Sequence, residues 1–313
     1  MKRLYRAQGR LMNALMAVLL IAFITLLATP AESSDSSPQL IDGAVPSNLL
    51  PPLTKVVSDR PKPYYDRCHV QQNLTATSAS CLYGDPHGSK VVILFGDSHA
   101  LSWFSAVEKL AIVKKWKFYS LTMSSCWPAD IAAFNSTTDE LMTNCPIWRT
   151  NAINFIKDIH PYITFVAGTR GFSTVNESGI EAVGTERLGI WRDGIARTLT
   201  AITHGSRNTV YIGDTPNAIQ DINQCLLKNA RSIAKCASPR KVAVSPVWID
   251  EERNQALNYG AQFVDPSPWI CDTDRCSPIS GRYLKYFDAG HFTATYMRLL
   301  EAPLWRAINR NLV

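Results

Sequence analysis

Five consecutive apolar residues, Val91-Val92-Ile93-Leu94-Phe95, run straight into Gly96-Asp97-Ser98-His99-Ala100. No other stretch constrains the chain as strongly. The run is short and rich in β-branched and aromatic side chains, as a buried strand requires. After it, Leu101, Phe104, Val107, Leu110 and Ala111 recur at helical spacing. Ser98 is therefore expected on a strand-to-helix turn, where the N–H groups of the first helical turn lack partners within the helix. A serine so placed can attack an acyl carbonyl while its own N–H helps hold the oxyanion. The same placement suits a helix N-cap, for which Asp and Ser are preferred.

Downstream the pattern alternates. Strands are expected at Phe118–Leu121, Tyr162–Ala167, Thr209–Ile212 and Gln262–Val264. Helices are expected at Ile147–Ile159, Arg187–Thr203, Pro246–Tyr259 and Thr293–Asn309, the last broken or kinked by Pro303. Such alternation predicts an α/β fold, a flavodoxin-like three-layer α/β/α sandwich with a parallel sheet and right-handed crossovers. Ligands of such sheets bind beyond the carboxyl ends of the strands. Ser98, Ser124/Ser125, Gly168-Thr169-Arg170, Asp214 and Asp265 all come just after expected strands and should share one rim.

The amino terminus reads as an export signal. Lys2, Arg3, Arg6 and Arg10 precede an apolar run over 11–28, followed by Ser, Asp and Pro. Residues 1–33 are either a cleavable signal peptide or a single membrane anchor, and in both cases the remainder of the chain is exported. They hold four basic residues and one acidic, so without them the formal charge falls from +6 to +3. No basic cluster interleaves with aromatics, which argues against nucleic-acid binding. Residues 34–63, rich in Ser and Pro and without periodicity, read as a tether, and 64–313 as one domain.

All eight cysteines lie beyond the leader, consistent with an oxidising, periplasmic or other extracytoplasmic location. Eight allow 105 pairings. The local reading is Cys68–Cys81, Cys126–Cys145, Cys225–Cys236 and Cys271–Cys276. Zinc is disfavoured, because no Cys-x-x-Cys and no histidine pair at finger-like spacing occurs. No metal and no cofactor is expected.

Near the carboxyl end, Asp288-Ala289-Gly290-His291 sets a carboxylate three residues before an imidazole. In one turn the carboxylate can accept the Nδ1–H and leave Nε2 to take a hydroxyl proton. Asp66-Arg67-Cys68-His69 has the same spacing. It precedes the first core strand and holds a cysteine expected to be bridged, so it reads as a decoy.

Phe95-Gly96-Asp97-Ser98-His99-Ala100, Leu121-Thr122-Met123-Ser124-Ser125-Cys126, Phe263-Val264-Asp265-Pro266 with Cys271 and Cys276, and Tyr286-Phe287-Asp288-Ala289-Gly290-His291 carry a family resemblance. Together they resemble the SGNH/GDSL hydrolase superfamily, and within it the extracytoplasmic SGNH domain of acyltransferase-3 carbohydrate O-acetyltransferases. The resemblance implies Ser98 as nucleophile, His291 as general base and then acid, and Asp288 as its orienting carboxylate. The superfamily's oxyanion hole combines the serine N–H, a glycine N–H and an asparagine side chain. Here Ser124-Ser125-Cys126 stands at the glycine block and Gly168-Thr169-Arg170 at the asparagine. Ser98, Ser125 and Arg170 are the expected donors, with a structural ion pair the alternative for Arg170. Gly-x-Ser-x-Gly is absent, which excludes an α/β-hydrolase elbow.

The function implied is an exported serine acyl enzyme, transferring acetyl to a cell-envelope glycan through acyl-Ser98. The alternatives are a carbohydrate O-acetyl esterase and a non-catalytic glycan-binding module. A single hydrophobic segment implies a separate multi-helix membrane acyltransferase as acyl donor. His99 is expected in a structural or substrate-gating role, Asp214 and Asp265 as loop-fixing. Trp103, Trp127, Trp148, Trp191 and Trp248 are expected in the core, with sugar stacking the alternative.

Overall fold

The computed structural model describes residues 42–76, 80–135, 138 and 140–313. The expected leader, including the apolar run 11–28, lies outside them. Among the described residues no helix is long and apolar enough to cross a membrane.

Seven strands form the main sheet: β1 (His69–Val70), β2 (Leu82–Gly84), β3 (Val91–Gly96), β4 (Lys117–Met123), β5 (Ile163–Ala167), β6 (Thr209–Ile212) and β7 (Gln262–Val264). Six run parallel, in the order β1-β4-β3-β5-β6-β7. The chain steps from β3 outward to β4 and then crosses back to β5, so the order reverses beside β3. That reversal opens a crevice at the carboxyl ends of the strands, the usual ligand position in such sheets. Ser98 lies two residues past the end of β3.

The sheet is mixed rather than purely parallel. β1 pairs parallel with the last residues of β4, while β2 pairs antiparallel with its first three. The Cys68–Cys81 bridge joins the two segments and brings both to the one free edge of β4. Strands of two and three residues are too short to leave a periodic signal, and neither is expected from the sequence.

Alternation within β3 divides the core. Val92 and Leu94 join Phe118, Phe165, Val210 and Ile212 on one face. Helices α1 (Ser98–Ser102) and α2 (Phe104–Lys114) cover that face. Ile93 and Phe95 join Leu121, Val166 and Tyr211 on the other, under α3 (Asn144–Ile159) and α4 (Gly184–Gly205). Phe95 stacks flat on Trp148 of α3, ring centroids 5.7 Å apart. Each such buried side chain contributes about 1.5–3 kcal/mol, so the strand carrying the site is firmly held from both faces.

A seven-residue α5 (Ile222–Lys228) carries Cys225, which is bridged to Cys236, ahead of α6 (Pro246–Asn258). The expected final helix is divided. Thr293 caps a short turn over Ala294–Met297, and α7 (Glu301–Ile308) begins anew with Pro303 in its first turn, where a missing N–H matters least. All four local disulfides are present and no described cysteine is free.

Residues 42–63 depart from the expected tether, because they lie against the domain. Val45 N–H donates to Ala230 O at 2.7 Å, Leu50 N–H to Arg282 O at 2.8 Å, and the Ala294 N–H to Asp59 O at 3.0 Å. Leu49 and Val56 are buried in the same core as Leu94. Prolines and a short 3₁₀ turn over Leu53–Ser58 replace regular structure here. Single buried residues therefore anchor the segment without any period to reveal them.

Candidate active site

At the end of β3, Gly96 has φ +146° and lies against Ala167 of β5, where a Cβ would run into the Ala167 carbonyl. Only glycine turns the chain there. Asp97, fully buried, then caps α1: Oδ1 accepts the N–H groups of His99 at 2.8 Å and Ala100 at 3.3 Å. Its other oxygen accepts Thr169 N–H at 2.8 Å, tying the β3 turn to the β5 turn. Burial raises the Asp97 pKa, only partly offset by His99 and the donated N–H groups. Asp97 takes the N-cap, so the Ser98 side chain is left free at the first helical position.

The Ser98 hydroxyl lies 2.9 Å from His291 Nε2. On the far side of the ring, Nδ1 is 2.9 and 3.0 Å from the two Asp288 oxygens. With Nδ1–H donating to the carboxylate, Nε2 is the acceptor for Ser98 O–H. Asp288 Oδ1 also accepts the N–H groups of Gly290 at 2.8 Å and His291 at 2.7 Å, folding its own loop. Burial pushes the Asp288 carboxyl up, but the His291 hydrogen bond and those N–H groups prevail and hold it below the ordinary value. His291 stacks nearly parallel on Phe287, and Arg60 covers the Phe287 ring.

Asp66 and His69, at the same spacing, do not pair. Asp66 accepts Cys68 N–H at 3.1 Å and Tyr83 O–H at 2.8 Å. His69 is buried in β1 with Nδ1 on the Thr122 hydroxyl at 3.0 Å. Burial, aided by His291, lowers its pKa to about 3, so it is neutral.

Arg170 and Asp265, both expected at the rim, are held by neighbouring groups. The Arg170 guanidinium makes a two-pronged pair with buried Glu252, at 3.1 and 2.5 Å, and its backbone N–H donates to Asp214 at 2.9 Å. Its charge is thus directed at Glu252 and not at Ser98, which corrects its expected role as a charged oxyanion donor. Burial raises Glu252 to about 7, with Arg170 opposing. Asp265 caps the turn at Ser267 by accepting its N–H at 2.9 Å.

The two serines after β4 differ. Ser124 N–H is spent on Val70 O at 2.8 Å. Ser125, at φ +53°, holds the left-handed conformation that glycine adopts most readily. Among the described residues its N–H has no acceptor, leaving it as a donor in the turn that follows β4, the strand beside β3. Of the five tryptophans expected in the core, Trp103, Trp127, Trp148 and Trp191 are there; Trp248 is partly exposed against Phe172, with Arg187 over both rings.

Sequence reasoning missed one contact. His99 Nδ1–H donates to Asp214 at 2.6 Å, across 115 residues of chain. Both residues are recognisable as rim positions, but only the sheet order makes them neighbours.

The family model described as SGNH domain (fused to AT3 domains) matches residues 67–306, most of the chain. The chain belongs to the SGNH domain family. Among solved structures, the SGNH domain is similar to the periplasmic domain of a lipopolysaccharide acetyltransferase from Salmonella ser. Paratyphi A. That match has 15% identity and TM-score 0.55 over 80% of this chain and 95% of the other. A weaker likeness, 13% identity and TM-score 0.42 over 72% and 97% of the two chains, is to a variant of Axe2, an acetyl-xylooligosaccharide esterase from Geobacillus Stearmophilus. At 15% identity the first likeness shows the fold. No curated protein matches the chain.

Proposed function

We propose that this SGNH domain is an exported serine acyl enzyme that transfers acetyl to a hydroxyl of a cell-envelope glycan. The observation that carries this reading is the unbroken chain from Ser98 Oγ through His291 to Asp288. Ser98 Oγ attacks the acyl carbonyl and its proton passes to His291 Nε2, which delivers it to the departing oxygen. Asp288 holds the tautomer and steadies the imidazolium. The N–H groups of Ser98 and Ser125 hold the oxyanion, in place of the serine, glycine and asparagine set of the superfamily. The acceptor hydroxyl then gives its proton to His291 and attacks acyl-Ser98; the bond from the acyl carbon to Ser98 Oγ breaks, His291 returns the proton to Oγ, and the sugar leaves as the ester. The match to a domain found fused to membrane AT3 domains supports a separate membrane acyltransferase as donor, and four disulfides support an extracytoplasmic location.

Hydrolysis is the second reading, favoured by the openness of the site. The Asp288 side chain is 46% exposed and that of His291 25%, so water reaches the triad. The two are separated by giving the full chain an activated acetyl ester with and without envelope oligosaccharide, and weighing the products. Transfer yields O-acetylated sugar and slow acetate release without acceptor. Rapid Ser98-dependent acetate release that acceptor leaves unchanged overturns transfer. Absence of any Ser98 adduct overturns both and leaves a glycan-binding module.

A further inference from the structure

Beside the Ser98–His291–Asp288 chain stands a second imidazole and carboxylate that acyl transfer through Ser98 does not use. The His99 ring lies edge-on to His291, centroids 5.2 Å apart, with Nδ1 anchored on Asp214. Its side chain is 10% exposed. Among the described residues nothing engages its Nε2, and that atom is not sealed in the core. Gly290 lies in front of it. A Cβ there would stand 3.5 Å from His99 Nε2 and 3.9 Å from Asn217 Oδ1, ordinary contact distances. Because position 290 has no side chain, nothing from that residue covers Nε2, which lies next to the catalytic imidazole.

The charge on the pair narrows what it can bind. Burial alone would push His99 toward neutrality, but Asp214, with Asp97 and Asp288 farther off, raises it to about 9. Burial likewise pushes Asp214 up, and His99 and Arg170 more than reverse this. At neutral pH His99 therefore keeps both protons and is no general base. Its charge is neutralised from behind by Asp214, which leaves an outward N–H suited to an uncharged oxygen. His291 must reach the sugar oxygen that carries or receives the acyl group. Oxygens on adjacent carbons of a six-membered ring lie about one hydrogen-bond length apart, so two imidazoles with centroids 5.2 Å apart can each reach one of them.

We propose that His99 is a substrate-binding residue whose Nε2–H donates to the hydroxyl vicinal to the acyl-bearing oxygen, with Gly290 as the gap that admits it. This rests on the acyl-enzyme reading and adds its substrate class: ring carbohydrates with a free hydroxyl next to the ester. Two esters that differ by that hydroxyl test it, cyclohexyl acetate and the monoacetate of trans-1,2-cyclohexanediol. The readout is the rate of Ser98 acetylation in the full chain, followed by intact mass. The wild type is expected to favour the hydroxylated ester by about 10–100-fold, the range for a hydrogen bond to a charged group. Gly290→Ala places a methyl over Nε2 while leaving the His99–Asp214 pair in place, and should collapse the preference toward unity. His99→Leu should do the same if it folds. No preference in the wild type, or one that survives Gly290→Ala, overturns the proposal. If cyclohexyl acetate labels Ser98 without such a preference, this inference alone fails. If neither ester nor a fluorophosphonate labels Ser98, the acyl-enzyme reading fails and takes this one with it.

Discussion

Asp66-Arg67-Cys68-His69 and Asp288-Ala289-Gly290-His291 carry the same two side chains at the same spacing, and only the second brings them together. The difference lies in the backbone between them. In the late segment, Asp288 accepts the N–H groups of Gly290 and His291 and closes a turn that swings the imidazole over its own carboxylate. In the early one, Arg67 sits at φ +64°, Cys68 is strapped to Cys81 and His69 is drawn into β1. Its Nδ1 is committed to Thr122, and Asp66 turns to Tyr83. Spacing proposes a pair. Hydrogen bonds to the intervening backbone decide it.

The sharpest way to separate the two segments is to remove each imidazole. His291→Ala is expected to cut esterase turnover by about 10⁴–10⁶-fold while leaving the melting temperature nearly unchanged, since the ring lies at the surface of the site. His69→Ala should behave oppositely. It empties a buried position and takes one hydrogen-bond partner from the Thr122 hydroxyl, and should lower unfolding free energy by about 2–4 kcal/mol, read by urea melts. Equal stability losses in the two variants would dissolve the distinction.

A smaller effect concerns the pair that neither segment contains. The folded pKa of His99 is raised from 6.5 to about 9, so its contribution to stability is complete below pH 6.5 and is lost as pH rises through 9. The groups facing it are Asp97, Asp214 and Asp288, with His291 edge-on. Buried Lys285, lowered to about 7 by burial with Asp272 opposing, shifts stability the other way over an overlapping range. The comparison is therefore with His99→Asn, in which Lys285 is unchanged. The melting-temperature gap between wild type and variant should be widest near pH 6 and close by about pH 10. A gap constant across that range would contradict the His99–Asp214 pair.

The legible parts of the molecule are those whose signal is local. Val91–Phe95 reads as a strand because both of its faces are buried, one under α1 and α2, the other under α3 and α4. Short-range cysteine pairs and the strand-helix alternation are legible for the same reason. Residues 42–63 are not, since isolated buried residues such as Val56 have no period. Ser125 is an expected donor, but nothing in a serine announces φ +53°. Arg170–Glu252 and His99–Asp214 span 82 and 115 residues, so topology alone creates them.

Fluorophosphonate labelling of Ser98 in Asp288→Asn and Asp66→Asn bears most directly on the reading of a serine acyl enzyme driven by the late pair. Peptide mass mapping places the adduct, and its rate of formation reports the activation of the hydroxyl. Asp288→Asn should slow labelling by orders of magnitude, about 10⁴ by analogy with serine proteases, while Asp66→Asn labels at the wild-type rate. Equal rates in both variants, or a loss confined to Asp66→Asn, would contradict it.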